Sequence, residues 1–375
     1  VQLVAMADAF QDRLDGCLAS LSKMFDDDRL AVKDKNKFVG FGSYKAAIDQ
    51  ADVVILTTPP GFRPKHFEYA VAQGKHIFME KPLATDPAGV RQVMAAAKTA
   101  QANNLNVVVG LQRHYQTSYR DTLKRLQDGA IGNIVSGQVY WDSSGVWVHP
   151  KEPGQTEMEH QMRNWYYFNW LCGDHILEQH IHNIDVANWF IGEHPIQAQG
   201  MGGRQVRTGK EYGEIFDHHF VEFNYPSGAV ISSQCRHQKG CMNRVSESFQ
   251  GELGSVYTDS GNVGWIKSYQ GTMIYNHDGE EDRNPYQTEH DELFASIRSG
   301  GVINNAQYGA ESTMSAIMGR MATYSGKVIK WDEALNSDLM VVPDEDELTF
   351  DSIPPVVPNA DGFYPIPMPG QTKVV

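Results

Sequence analysis

Residues 1–115 alternate short apolar runs with amphipathic stretches, and this alternation limits the fold more than any other feature of the chain. The runs "VQLVAMAD", "KFVGF", "DVVILTT", "HIFME" and "NVVVGL" read as strands. Helical patterns lie between them, around Arg13 to Phe25, Tyr44 to Gln50, Pro64 to Gln73 and Asp86 to Ala102. Strands that are apolar on both faces need cover on both sides, and a helix between consecutive strands supplies it. The pattern predicts a doubly wound α/β domain of Rossmann type with a parallel sheet.

Past a helix near Ser118 to Gln127, closed by "DGAIG", the strands become longer, alternating and aromatic. "IVSGQVYW", "HHFVEFNY", "AVISSQCRH" and "SVYTD" predict a mostly antiparallel sheet, accompanied by helices over Gly173 to Phe190 and Ala306 to Ser325. From Met340 the chain turns rich in proline and acid, which predicts an extended arm. The expected division is residues 1–115, 116–339 and 340–375, since 375 residues exceed one ordinary core.

A net charge of −14 with no basic run argues against nucleic acid or an anionic membrane as partner and favours a small polar or neutral ligand. No run approaches the ~18 apolar residues of a membrane span. The four cysteines lack zinc-site spacing and read as thiols, mostly buried.

Asp8 closes the first strand, where an acid in a dinucleotide-binding fold accepts the ribose hydroxyls and selects NAD over NADP; it also suits a helix cap. The glycine loop that cradles the pyrophosphate belongs ~20 residues before such an acid, and seven residues precede Asp8. The natural polypeptide is therefore expected to begin earlier, with a central strand before this one. Thr57, Thr58 and Pro59 in "ILTTPPGFRPKH" end the third strand with small or rigid residues that let a dinucleotide approach the backbone. In "FMEKPLATD", Glu80 and Lys81 emerge at the sheet's carboxyl edge, where ligands bind in open α/β folds.

The stretch "HILEQHIHNID" carries five titratable side chains among helix-compatible apolar residues. At about 100° per residue, His175, Glu178, His182 and Asp185 share one stripe, while His180 points away. Buried without partners, each charge costs several kcal/mol, which leaves three readings. The stripe is a structural network, an acid–base site with His182 as base and Glu178 or Asp185 fixing its tautomer, or a divalent metal site of His175, Glu178 and His182.

The order of "TTPP…H", "GKHIFMEKPLA", "VVVGLQRHY", "DGAIGNIVSGQVYW" and "GDHILEQHIHNIDVANWFIG" resembles the glucose–fructose oxidoreductase and inositol dehydrogenase family (Gfo/Idh/MocA) across nearly the whole chain. The resemblance implies a Rossmann domain followed by an α/β domain with a large open sheet, NAD(P) as cofactor, and homo-oligomers, dimeric or tetrameric, built through that sheet. It places Lys81 beside nicotinamide and substrate. Glu178 and His182 match the family's Asp-x-x-x-His pair, with glutamate in place of aspartate. Gln112 matches a cofactor-contacting loop, and Arg113, Trp165, Asp185 and His219 are the expected substrate-binding residues.

The expected activity is NAD-dependent oxidation of a hydroxyl on a sugar, cyclitol or sugar derivative. Two alternatives stand beside it: glycoside cleavage through a transient keto-sugar, with or without metal, and sugar binding without turnover. The compartment is left open between bacterial cytoplasm and periplasm.

Overall fold

The computed structural model describes residues 1–26, 28–279 and 282–375. Five short parallel strands and four helices form the Rossmann-like domain. The strands are β1 (Met6–Asp8), β2 (Lys37–Val39), β3 (Val53–Leu56), β4 (His76–Met79) and β5 (Val107–Val109). The helices are α1 (Gln11–Leu21), α2 (Ser43–Asp49), α3 (Arg63–Ala72) and α4 (Pro87–Ala102). The reading of "VQLVAMAD" as one strand was too long, since only Met6–Asp8 pairs as a strand while Leu3 makes an isolated bridge to Leu30.

Strands β1–β2 and β3–β4–β5 form two separate parallel ladders.

Helix α4 shows how local sequence sets an element. The Asp86 side chain accepts from Gly89 N at 2.8 Å, Pro87 opens the first turn, and Val90, Val93, Ala97 and Ala100 bury one stripe.

The second part is a nine-stranded sheet made of β6 (Ile134–Ser143), β7 (Gln197–Gly203), β8 (His218–Asn224), β9 (Val230–His237), β10 (Arg244–Gly251), β11 (Gly254–Asp259), β12 (Gly264–Ser268), β13 (Met273–Asn276) and β14 (Ile329–Lys330). Its order is β13-β12-β11-β10-β6-β9-β8-β7-β14, antiparallel except for the β6–β9 pair. Side chains alternate: in β9, Ile231, Ser233, Cys235 and His237 face inward and are buried.

The remaining helices are α5 (Thr117–Gln127), α6 (Glu157–Arg163), α7 (Asn169–Cys172), α8 (His175–Glu178), α9 (Ile181–Ile191), α10 (Pro285–Ser299), α11 (Ala306–Ser325) and α12 (Trp331–Leu335). Helix α11, rich in small residues and buried along most of its length, packs against α4, α9 and strand β7.

Two expectations need correction. The helix predicted over Gly173 to Phe190 is interrupted. Residues 179–180 separate α8 from α9, His180 N reaches back to His175 O, and the helical phase slips between Glu178 and His182. The thiols are also less buried than expected: Cys172 and Cys235 are buried, Cys17 and Cys241 exposed, and all four are free.

The C-terminal segment is mostly extended, with a short 3-10 helix at Glu345–Glu347 and a few turns, and packs on its own chain. It is pinned to the Rossmann-like domain through Val341 N to Asp86 (2.7 Å) and to the second part through Gln161 to Val356 O (2.7 Å). Among the described residues no helix is long and apolar enough to cross a membrane.

Candidate active site

Two elements remote in sequence meet at Lys81. The lysine leaves the carboxyl end of β4, and its Nζ donates to Glu178 O at 2.6 Å and lies 3.4 Å from Glu178 Oε1. Gly61 allows this approach of the two parts: a Cβ there would sit 2.2 Å from Trp170 O. Arg63 is buried and donates to Leu56 O (2.5 Å) and Thr58 O (2.6 Å), fixing the loop after β3.

Glu178 is buried, and its Oε2 has no partner among the described residues. Burial pushes its carboxyl up to about 7 against the opposing pull of the Lys81 and Arg63 cations, with Glu80 adding to the rise. His182 is buried with Nδ1 unpartnered and stacks on Trp141 at 5.8 Å. Burial, then the Lys81 and Arg113 charges, hold its imidazole well below the usual histidine value, so it is neutral at pH 7.

The other expected residues have different surroundings. Arg113 is buried in an ion pair with Glu247 (2.9 Å), a carboxylate that also accepts from Tyr119, Thr258 and Asn183. Asp185 is occupied by His114 (2.7 Å) and Ser312 (2.8 Å), and the His114 ring lies between Trp189 and Tyr308. Gln112 donates to Tyr286 at 3.3 Å and leaves Oε1 unpartnered. Glu80 accepts from the Lys81 backbone N–H at 3.3 Å.

The metal triad His175, Glu178, His182 is not assembled. The group of possible ligand atoms found among the described residues is instead Asp174, His175 and His219, because the slip after α8 turns His175 toward the sheet. That group reads as a network. Asp174 Oδ1 accepts from His175 N (2.5 Å) and His175 Nδ1 (2.8 Å). Its Oδ2 accepts from Phe216 N (2.9 Å) and Tyr324 (2.5 Å), with His219 Nε2 at 3.3 Å. These donors occupy the carboxylate lone pairs that a cation needs. His219, bound to Thr323 at 2.9 Å, is wholly buried in this network.

Beside it are further polar atoms, of which those of Arg207 had no signal in the sequence. His175 Nε2, His237 Nε2, Arg207 Nη1 and Tyr166 OH are buried without partners among the described residues. Their roles follow from the bonds they do make. His175 donates through Nδ1 to a carboxylate, so its Nε2 accepts; Arg207 donates to His237 Nδ1 at 2.7 Å, so His237 Nε2 carries a hydrogen. The signal available for Asp174 was its place after Gly173, where it caps α8 at φ 77°, ψ 162°, a backbone region that costs ~1–3 kcal/mol and persists only where contacts enforce it.

At the carboxyl ends of β1 and β3 lies a cavity of about 610 Å³ lined by Asp8, Thr57, Thr58, Pro59, His66 and Glu345, with Trp147 and Trp165 from the second part. Asp8 accepts from Phe10 N at 2.9 Å and does not cap α1, whose N-cap Phe10 makes no side-chain cap bond. Trp165 is thus on the wall of this cavity. The volume and the strand-end position suit a dinucleotide held by Asp8 and the Thr57–Pro59 backbone.

Sequence comparisons agree with this architecture. Residues 9–109 match the family described as "Oxidoreductase family, NAD-binding Rossmann fold", and residues 119–257 match the GFO/IDH/MocA C-terminal domain. An inositol 2-dehydrogenase of Acidiphilium cryptum is 28% identical over 203 residues, 54% of this chain and 53% of the relative. A 2,7-anhydro-N-acetylneuraminate hydratase of Escherichia coli is 26% identical over 181 residues, 48% of this chain and 44% of the relative. The chain thus spans about half the length of these curated relatives. A levoglucosan dehydrogenase solved with NADH and levoglucosan shares the fold, with a TM-score of 0.67, 17% identity, and coverage of 88% of this chain and 90% of that one.

Proposed function

The chain belongs to the Gfo/Idh/MocA oxidoreductase family, and from that premise we propose that it oxidises a hydroxyl-bearing carbon of a sugar, cyclitol or sugar derivative with NAD. The observation that carries this reading is the contact between Lys81 and Glu178, beside a neutral His182. NAD, when bound, supplies the hydride acceptor. Asp8 is the residue that would favour NAD over NADP.

The chain's own residues account for the proton. Neutral His182 accepts the substrate hydroxyl proton on its imidazole. The Lys81 ammonium has three donors, of which Glu178 O and Oε1 take two, and the third stabilises the oxyanion that develops as the proton leaves. Glu178 holds Lys81 in place. Tyr166, His175 and His237 offer a hydroxyl, an acceptor and a donor for further substrate hydroxyls.

A second reading rests on Glu178. A carboxyl with a pKa of about 7 is present in both protonation states at neutral pH, which suits moving a second proton, as elimination next to a transient ketone requires. The hydratase among the relatives is consistent with this outcome.

Incubation of the full chain with NAD and a panel of free sugars, cyclitols and glycosides separates the two. NADH accumulation supports the dehydrogenase. Release of an aglycone without NADH supports the elimination route, and neither product with any substrate overturns both.

The same reading assigns residues 1–115 to cofactor, 116–339 to substrate and association, and 340–375 to an arm. Met201 and Phe220 are cross-strand partners on the outer sheet face, both exposed, and suit association of copies into dimers or tetramers. Molecular mass in solution tests this.

A further inference from the structure

The C-terminal arm reaches the cavity assigned to the cofactor through one buried side chain. His66 Nε2 lies 2.9 and 3.0 Å from the two carboxylate oxygens of Glu345, and His66 Nδ1 lies 3.1 Å from Thr58 Oγ1. Glu345 and His66 are 4% and 2% exposed, and both line the cavity with Thr58. The imidazole is also clamped by ring packing, with Tyr44 stacked on it at 4.0 Å.

The chemistry of this chain has a direction. A carboxylate only accepts, so His66 carries its hydrogen on Nε2. In the neutral imidazole Nδ1 is then an acceptor, and the Thr58 hydroxyl donates to it. The lone pairs of Thr58 Oγ1 are left for the cavity, so Thr58 presents an acceptor to a hydroxyl or amide N–H of a bound dinucleotide. Tyr44, another residue of the same wall, keeps its hydroxyl buried without a partner among the described residues.

The arm is fastened on either side of Glu345. Asp344 and Asp346 bind Lys65, Asp346 also binds Lys45 at 2.7 Å, and Phe350 stacks on Phe10 at 4.9 Å and packs tilted against Phe41 at 5.1 Å. Phe10 and Phe41 belong to the cavity lining as well. A segment held only for stability has no need to place a carboxylate on the imidazole behind a cavity-wall hydroxyl.

We propose that Glu345 is a positioning residue for the cofactor: acting through His66, it fixes the Thr58 hydroxyl as an acceptor, so that the arm forms part of the dinucleotide site. This rests on the dinucleotide reading of the cavity.

The test is NAD affinity of the full chain by calorimetry, with thermal stability measured alongside. Glu345→Ala and Thr58→Val each weaken NAD about three- to ten-fold, the worth of one ordinary hydrogen bond. The double variant loses no more than either single one, because both remove the same contact. Glu345→Gln, whose amide oxygen still accepts from His66, restores affinity to within about two-fold.

Unchanged affinity in Thr58→Val, or additive losses in the double variant, overturns the proposal. So does a Glu345→Ala variant that loses stability while keeping its affinity. A wild-type chain with no affinity for NAD overturns the dinucleotide reading and this inference together. Affinity retained in the wild type and in both single variants overturns this inference alone.

Discussion

Asp174 and Glu178 lie four residues apart, at the two ends of α8, and both are buried, yet their carboxyls shift in opposite directions. Burial raises both. At Asp174 the rise is overcome by His219 and His175, and the carboxyl falls well below its ordinary value. At Glu178 burial wins, and the carboxyl rises to about 7. The difference is the number of donors each one meets: Asp174 receives backbone N–H groups, an imidazole and a tyrosine hydroxyl, whereas Glu178 receives Lys81 at Oε1 and, among the described residues, nothing at Oε2. A buried carboxylate whose lone pairs are filled belongs to the architecture, and one left open is available to a ligand.

The largest effect expected is on stability. Asp174→Ala strands several buried donors and lowers unfolding free energy by ~3–5 kcal/mol, measured by urea denaturation; a loss below ~1 kcal/mol would erase the contrast with Glu178. Next is Lys81→Ala, which keeps the fold and lowers turnover by ~10³-fold through loss of oxyanion stabilisation; near-normal turnover removes Lys81 from the mechanism.

The third prediction uses pH. The Glu178 carboxyl has an ordinary value of 4.5 and a folded value of about 7. Its contribution to stability is therefore full below pH 4.5 and lost as pH rises through 7. Asp174 has the opposite sign: its contribution is present above its ordinary 3.8 and lost as pH falls through its lower folded value. Turnover in the oxidative direction rises as Glu178 ionises near pH 7 and grips Lys81. Glu178→Gln flattens both the stability and the rate profile in that window, and an inflection that survives the substitution assigns it to another group.

The smallest effect is that of Tyr166→Phe. Because the hydroxyl has no partner among the described residues, thermal stability is unchanged or slightly higher, while KM for the substrate rises about ten-fold. An unchanged KM places Tyr166 outside the substrate site.

Much of the architecture was legible in the sequence. Helix α11 was read as Ala306 to Ser325, the bounds it has, because glycine follows it and its small, apolar residues leave no competing period. The convergence of Lys81 with Glu178 was legible through family resemblance. The α8–α9 break was not, because "HILEQHIHNID" contains no glycine or proline to mark it. Asp174, which caps α8, is itself held by Phe216 and Tyr324, residues far along the chain.

By itself, the sequence determined what short-range periodicity and residue chemistry can specify: the parallel strand–helix alternation, the antiparallel sheet and the placement of Lys81 at a strand end. The tertiary structure decided which buried polar atoms are satisfied. That outcome depends on donors and acceptors brought from the β8 region, α11 and the C-terminal arm, and no local pattern encodes contacts between segments more than a hundred residues apart, such as Tyr324 on Asp174 or Glu345 on His66.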